Sequence, residues 1–206
     1  MNKFKIISTI ILIVALFVGL YSLTSKWECG KAKAETLQSA SQAEIYEPKL
    51  TVQYTPLGVP DINSSFKTWM SYKAITDEQS YQYIFVNTYG WADDEGFMRA
   101  SGESDLGVEQ DYYMIALGSY YGTTIGTKYK ITLDTGAVFY GVLSDCKADN
   151  HTNSTNQYVS HNKNVVEFIV DTTKLNGLVK QIGSANVYMP LNGSVAKIER
   201  MDFVLE

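Results

Sequence analysis

Residues 128–145 read Lys-Tyr-Lys-Ile-Thr-Leu-Asp-Thr-Gly-Ala-Val-Phe-Tyr-Gly-Val-Leu-Ser-Asp, two apolar-rich runs separated by a turn. Every second residue of the first run is apolar, which is the period of a strand with one buried face. The turn is supplied by Asp134-Thr-Gly136, because glycine tolerates the positive φ that a tight turn needs. We therefore predict a hairpin of strands 128–133 and 137–144, and its second strand ends at Asp145.

Short apolar runs of the same kind continue on both sides of this hairpin. We predict strands at about 112–118 and 165–171, a brief strand at 186–190 and a final strand at 194–205. Strand patterns outnumber helical ones, so the fold class is mainly β. Among the mainly β architectures, the sequence favours a small barrel over a sandwich.

Two segments have helical signals. Thr76 and Gln79 have the spacing of a capping box and favour a helix to about Asn87, although the aromatic and β-branched residues within it also fit a strand. A second helix is predicted from Asp171 to Gly183, where the apolar side chains fall on one face. These side chains belong to Leu175, Leu178, Val179 and Ile182.

The N-terminal region has the pattern of a membrane anchor. Residues 6–23 are mainly apolar, and as a helix they span about 27 Å, close to the hydrocarbon thickness of a bilayer. We predict a transmembrane signal-anchor that follows a cytoplasmic head, residues 1–5, and places the bulk of the chain outside the cell. The alternative is cleavage after Ala34, where Ala32-Lys-Ala34 has the small-x-small form of a signal-peptidase site, which gives a secreted protein.

The remainder divides into a tether and a domain. Residues 24–62 are polar and contain three prolines, which predicts a flexible tether, and residues 63–206 have the length of one extracellular domain. Residues 1–34 hold five of the 17 basic and one of the 22 acidic residues, which leaves a net charge of −9 for the rest. So acidic a domain is unsuited to nucleic acid. The chain has two cysteines, Cys29 in the tether and Cys146 in the domain, which are too few for a disulfide framework.

A set of residues between 115 and 145 carries a likeness to known domains. They are Ile115-Ala-Leu-Gly118, Tyr121-Gly122, Ile125-Gly-Thr127, Tyr129, Ile131, Thr132, Asp134, Gly136 and the strand-terminal Asp145. This order resembles the double-psi β-barrel group, which includes expansins, barwin-like proteins, rare lipoprotein A and the three-aspartate domains of bacterial cell-wall proteins. The whole of 66–206 is similar to uncharacterised cell-envelope proteins of Gram-positive bacteria. The resemblance implies a six-stranded double-psi-type barrel with one or two short helices.

The resemblance also implies a cell-wall setting. Some members of the group are lytic transglycosylases that act on peptidoglycan, and others bind polysaccharide without net hydrolysis. Their strand-end aspartate corresponds to Asp145, although this chain reads Asp145-Cys-Lys-Ala-Asp149 where the three-aspartate pattern has Asp-Thr-Gly-Gly. We expect a membrane-anchored extracellular module that binds wall polysaccharide, with lytic cleavage as the alternative.

For cleavage, Asp145 must act as general acid and base. A lytic transglycosylase needs one carboxyl group, because a sugar hydroxyl replaces water as the nucleophile. That carboxyl must keep its proton near neutral pH, which requires burial or a neighbouring carboxylate such as Asp149 or Glu167. The alternative is structural: Asp145 accepts backbone N–H bonds and fixes the loop.

Aromatic and histidine side chains complete the predicted groove. We expect Tyr120, Tyr121, Tyr140 and His151 to bind the sugar chain, since aromatic rings stack on sugar faces. Tyr120 and Tyr121 are adjacent, so in an extended chain one of them should be exposed. A divalent ion held by the aspartates and by His151 and His161 is a further alternative, but the spacing fits no known ligand motif, so we predict neither metal nor cofactor.

Overall fold

The computed structural model of the protein describes residues 50–103 and 109–205. Within these ranges nine strands form one sheet, joined by two α-helices and five 3-10 turns. The strands are β1 (Leu50–Leu57), β2 (Trp69–Ser71), β3 (Trp91–Ala92), β4 (Met98–Glu103), β5 (Glu109–Leu117), β6 (Lys128–Leu133), β7 (Val138–Cys146), β8 (Glu167–Val170) and β9 (Val195–Leu205). The helices are α1 (Tyr81–Tyr89) and α2 (Gly177–Ile182).

The strands follow the order β1-β9-β6-β7-β5-β4-β3, and β8 joins β5 and β2 outside this path. Pairing is antiparallel except between β5 and β7 and between β2 and β8. One edge of β5 is shared, because β4 pairs with its first half and β8 with Ile115 and Ala116. The sheet branches at this edge, and neither branch returns to β1. The mainly β class is confirmed, whereas the prediction of a six-stranded closed barrel was wrong in strand number and in closure.

The predicted hairpin forms as expected. Strands β6 and β7 pair from Lys128 opposite Val142 to Thr132 opposite Val138. Gly136 has a φ of 84°, and its N–H donates to the Leu133 carbonyl at 2.9 Å. The inward side chains of β6 are buried, as the alternation predicted. The local pattern was sufficient here because both strands are close in sequence.

Strand β1 lies inside the segment for which we predicted a tether. It pairs along its whole length with β9, from Leu50 opposite Leu205 to Leu57 opposite Ile198. Its Val52 and Tyr54 pack against the core, and the Thr55 hydroxyl donates to Asp202 at 2.8 Å. For residues 50–57 the tether prediction was wrong. An edge strand can form from alternate apolar residues alone, and this segment has them at Leu50, Val52 and Tyr54.

Other N-terminal predictions cannot be compared with the fold. The head at 1–5, the apolar run at 6–23 and residues 24–49 lie outside the described residues. None of the helices in the described ranges is long and apolar enough to cross a membrane.

Helix α1 settles the choice between helix and strand for the segment after Thr76. It begins at Tyr81, and the Ser80 hydroxyl caps it by accepting the Tyr83 N–H at 3.1 Å. The capping box at Thr76 does not form, because Asp77 instead accepts the Gln79 N–H at 3.1 Å. The helix was therefore predicted correctly, but its start was not.

Helix α2 is shorter than predicted. Asn176 caps it, and Gly183 ends it with a φ of 74°, as expected. Leu175 and Val179 are buried, but Leu178 and Ile182 are 53% and 52% exposed, so the single apolar face was wrong. The brief strand predicted at 186–190 is replaced by two 3-10 turns, Ala185–Val187 and Met189–Leu191.

Strand β5 separates the two core clusters of the described residues. Ile115 and Leu117 belong to the larger cluster, with the hairpin and β8, whereas Met114 and Ala116 belong to the smaller one, with helix α1. This alternation is the period of two expected for a strand with two covered faces. Because paired residues share a face of the sheet, any residue paired with Ala116 lies on the face that the smaller cluster covers.

Candidate functional site

An open cavity of about 870 Å³ lies beside β2, β7 and β8 and the loop that follows β7. Its lining includes two carboxylic acids, one lysine, two histidines and one tryptophan. They are Asp145, Glu167, Lys147, His151, His161 and Trp69. Because one cavity holds acids, bases and a flat ring, it is the candidate site.

The sheet register places the two carboxyl groups. Ala116 pairs with Asp145 on β7 and with Glu167 on β8. Residues paired across neighbouring strands share a face of the sheet, so both acids flank Ala116. Their Cα atoms are two strand spacings apart, roughly 10 Å.

A β-bulge makes this arrangement possible. Ile115 pairs with Leu143, but the next residue, Ala116, pairs with Asp145, so Ser144 is an extra residue on β7. Ser144 is buried, and its hydroxyl donates to the Val142 carbonyl at 3.1 Å. Bulges re-aim the side chains that follow them. Here the bulge turns Asp145 toward the face that Glu167 shares.

The surroundings of Asp145 favour its protonated form. Burial raises its pKa, and the negative charge of Glu167 raises it further. One opposing effect is the Cys146 N–H, which donates to Asp145 Oδ1 at 2.8 Å and lowers the pKa. The net pKa lies above that of a free aspartate, as general acid catalysis requires.

Lys147 is a site residue that the sequence did not single out. Its N–H continues the strand pairing by donating to the Leu117 carbonyl at 2.9 Å. Its ammonium group donates to the Asn164 carbonyl at 3.1 Å, and burial lowers its pKa to about 8. The signal available in the sequence was its position two residues after Asp145, which places both on one side of an extended chain.

The tyrosines lie elsewhere. Tyr120 is 46% exposed and Tyr121 is 2% exposed, as their adjacency predicted, and their rings meet edge to face at 5.1 Å. Burial raises the pKa of Tyr121. Tyr140 packs edge to face on Tyr112 at 6.1 Å. None of Tyr120, Tyr121 and Tyr140 is among the described residues that line the cavity, so the structure does not join them to Asp145.

The loop from 147 to 164 forms one wall of the cavity. Asn153 Oδ1 holds it by accepting the N–H groups of Gln157 and Tyr158 at 2.8 and 3.1 Å. His151 and His161 both face the cavity, whereas Asp149 instead accepts the Ser119 hydroxyl at 2.7 Å. In the described part of the chain, no group of three His, Cys, Asp or Glu side chains can hold a metal ion.

Cys146 is half-buried beside the site. Its thiol lies 3.9 Å from the Thr123 carbonyl and packs against the larger core cluster. Burial raises the pKa of this thiol, and Asp145 and Asp149 raise it further. A thiol that resists ionisation is a poor nucleophile.

The chain matches no protein-family model, no curated protein and no solved structure. What the cavity does must therefore be inferred from its own side chains. A carboxyl whose pKa is raised beside a second carboxylate is suited to proton transfer. An indole ring with amide and ammonium donors is suited to a polar, ring-shaped ligand such as a sugar.

Proposed function

We propose that the cavity binds a polysaccharide chain and that Asp145 cleaves it as general acid and base, in the manner of a lytic transglycosylase. The observation that carries this proposal is the raised pKa of Asp145 beside Glu167 in a cavity of sugar-binding size. A carboxyl with a raised pKa holds its proton to higher pH than a free aspartate, as the protonation of a glycosidic oxygen requires.

The reaction needs one carboxyl group. Asp145 donates its proton to the oxygen of the leaving sugar as the glycosidic bond breaks. The 6-hydroxyl of the remaining sugar then attacks its own anomeric carbon and gives its proton back to Asp145, so that a 1,6-anhydro ring closes without added water. Glu167 contributes by its charge, which favours the protonated acid before the bond breaks.

The wall setting rests on the resemblance of the central stretch to double-psi domains and on the predicted anchor at 6–23. On this basis the substrate is peptidoglycan, and the chain is a single-pass membrane protein with its bulk outside the cell. Trp69 supplies the aromatic surface that we had assigned to tyrosines. Its indole N–H donates to the Val179 carbonyl at 3.3 Å, which fixes the ring at the cavity wall.

A second candidate is a wall-binding module without catalysis. It is favoured by the hydrogen bond from the Cys146 N–H to Asp145 Oδ1, because a carboxyl that fixes its own strand end has a sufficient structural role. Such a module would need the cavity and Trp69 but no proton transfer.

Incubation of the full-length protein in detergent with purified peptidoglycan tests the proposal. We expect soluble fragments with 1,6-anhydro ends, detected by mass spectrometry, and their loss in Asp145→Asn. Asp149→Asn is the matched control, since Asp149 does not line the cavity, and it should keep the activity. Wall binding without any anhydro product in the wild-type protein would rule out cleavage and favour the binding module.

A further inference from the structure

Lys147 is a buried cation among the residues that line the cavity. The residue is 7% exposed, and it lines the cavity together with Asp145 and Glu167. Its ammonium group has three donor hydrogens. The described residues provide one hydrogen-bond acceptor for it, the Asn164 carbonyl at 3.1 Å.

The carboxylates of the cavity do not neutralise this cation directly. In the described residues, no ion pair within 4.0 Å joins Lys147 to an acid. Glu167 acts on the Lys147 ammonium over a longer distance and raises the pKa of that lysine, against the lowering by burial. The pKa of Asp145 is itself raised, so its carboxyl is a weaker source of countercharge. The remaining titratable side chains at the cavity are His151 and His161.

A buried ammonium group with one neutral partner is costly. Removing a charge from water costs several kcal/mol unless it gains hydrogen bonds and countercharge. If Lys147 had only a structural role, we would expect all three N–H groups of its ammonium to donate to protein acceptors. Donors left toward a cavity instead suit an acceptor that arrives with a ligand.

Resting on the proposed function, we infer that the cavity takes an acidic sugar, whose carboxylate binds the Lys147 ammonium. A charge-assisted hydrogen bond to a carboxylate would supply both the acceptor and the countercharge. A singly charged carboxylate fits better than a phosphate dianion, because Glu167 lines the same cavity and repels additional negative charge.

A matched pair of ligands tests this inference. Peptide-free wall glycan strands carry lactyl carboxylates, and capping these as methylamides removes the charge but keeps the backbone. Binding of both strands to the full-length Asp145→Asn protein, which cannot cleave them, is measured by calorimetry. We expect the native strands to bind about tenfold more tightly, the size of one charge-assisted contact.

Lys147→Met in the same background should bind both strands alike, because methionine fills the space without a charge. Lys163→Met is the control, since Lys163 is exposed on the same loop and does not line the cavity. It should keep the preference. If Lys147→Met fails to fold, the Lys147 Nζ resonance of the Asp145→Asn protein replaces it, and this resonance should shift with native strands only.

Equal affinity for the two strands would overturn the inference and leave the proposed function standing. A preference that survives in Lys147→Met, or an Nζ resonance that native strands leave unmoved, would also overturn it. Failure to bind either strand would instead remove the proposed function, and the inference with it.

Discussion

Lys67 and Lys147 are both buried, yet their ammonium groups have very different surroundings. Lys67 donates to the Ser65 carbonyl at 3.1 Å, to Asn186 Oδ1 at 3.3 Å and to the Gly193 carbonyl. Lys147 has the Asn164 carbonyl and an open cavity. Burial lowers the pKa of each to about 8. Burial alone therefore does not determine the role of a lysine. The Lys67 ammonium has three protein acceptors and stabilises the fold, whereas the Lys147 ammonium has one and keeps donors for a ligand.

Replacing Lys67 should give the largest effect on stability. Lys67→Met leaves two carbonyls and the Asn186 amide oxygen without their donor, which should lower the free energy of unfolding by about 3 kcal/mol. Urea unfolding measures this, and Lys163→Met, an exposed lysine, should change it by less than about 0.5 kcal/mol. If the free energy of unfolding falls by as little as in the control, the hydrogen bonds of Lys67 to Ser65, Asn186 and Gly193 do not stabilise the fold.

Alkaline pH should stabilise the protein through both lysines. Their pKa values are about 8 when folded, against 10.5 as the ordinary value, so between these values the unfolded chain binds more protons. The free energy of unfolding should then rise with pH, by on the order of 1 kcal/mol per lysine between about pH 8 and 9.5.

Urea unfolding at several pH values checks this rise, and Lys147→Met should show about half of it. The window stops below the titration of tyrosine, because burial raises the pKa of Tyr129 to about 12 and ionisation in the unfolded chain then opposes the trend. Ionisation of the unfolded Cys146 thiol, whose folded pKa is also raised, reduces the rise within the window but does not cancel it, because two lysines act against one thiol. A flat profile in the wild-type protein would contradict the comparison for both lysines.

Replacing Lys147 should cost less than replacing Lys67. Lys147→Met removes one hydrogen bond but also the cost of burying a charge, so we expect a change of less than about 1 kcal/mol at pH 7. Urea unfolding of the two methionine variants side by side measures the difference. Equal losses would mean that Lys147 is as structural as Lys67, and the ligand-binding role would fail.

The smallest effect concerns Asp145. Burial and Glu167 raise its pKa, so its ionised form is disfavoured in the folded protein at pH 7. Asp145→Asn keeps an acceptor for the Cys146 N–H and removes the charge, which should raise stability by about 0.5 kcal/mol at most, given solvent screening. The gain should shrink as the pH falls and vanish below the ordinary pKa of aspartate, where the carboxyl is protonated in both the folded and the unfolded chain. Destabilisation at pH 7 would favour the structural role of Asp145.

The sequence predicted what depends on local pattern. The hairpin around Gly136 and the position of Asp145 at a strand end follow from alternation and turn chemistry within 18 residues. The neighbours of Asp145 do not, because its pairing with Ala116 and the pairing of Ala116 with Glu167 join distant segments. Glu167 was considered as a partner for Asp145, but only the register places it there.

Two predictions, the tyrosine groove and the tether at 50–57, failed because they also depend on contacts between distant segments. One of Tyr120 and Tyr121 is exposed, as expected, but the pair lies in a 3-10 turn and not in an extended strand, and adjacency does not determine where the exposed ring lies. Strand β1 was missed because its partner, β9, lies about 150 residues away, as the Thr55 to Asp202 contact illustrates with a separation of 147. The apolar pattern of a single edge strand is too short to predict the strand from the sequence alone.

The extra residue at Ser144 has a consequence for how such a site arises. In regular pairing after Leu143, Ala116 would face Ser144, and Asp145 would face Leu117 on the side of the larger cluster. The extra residue thus determines on which face of the sheet the Asp145 carboxyl lies. Insertion or deletion of a single codon, with every reactive side chain unchanged, is enough for a related chain to gain or lose this chemistry.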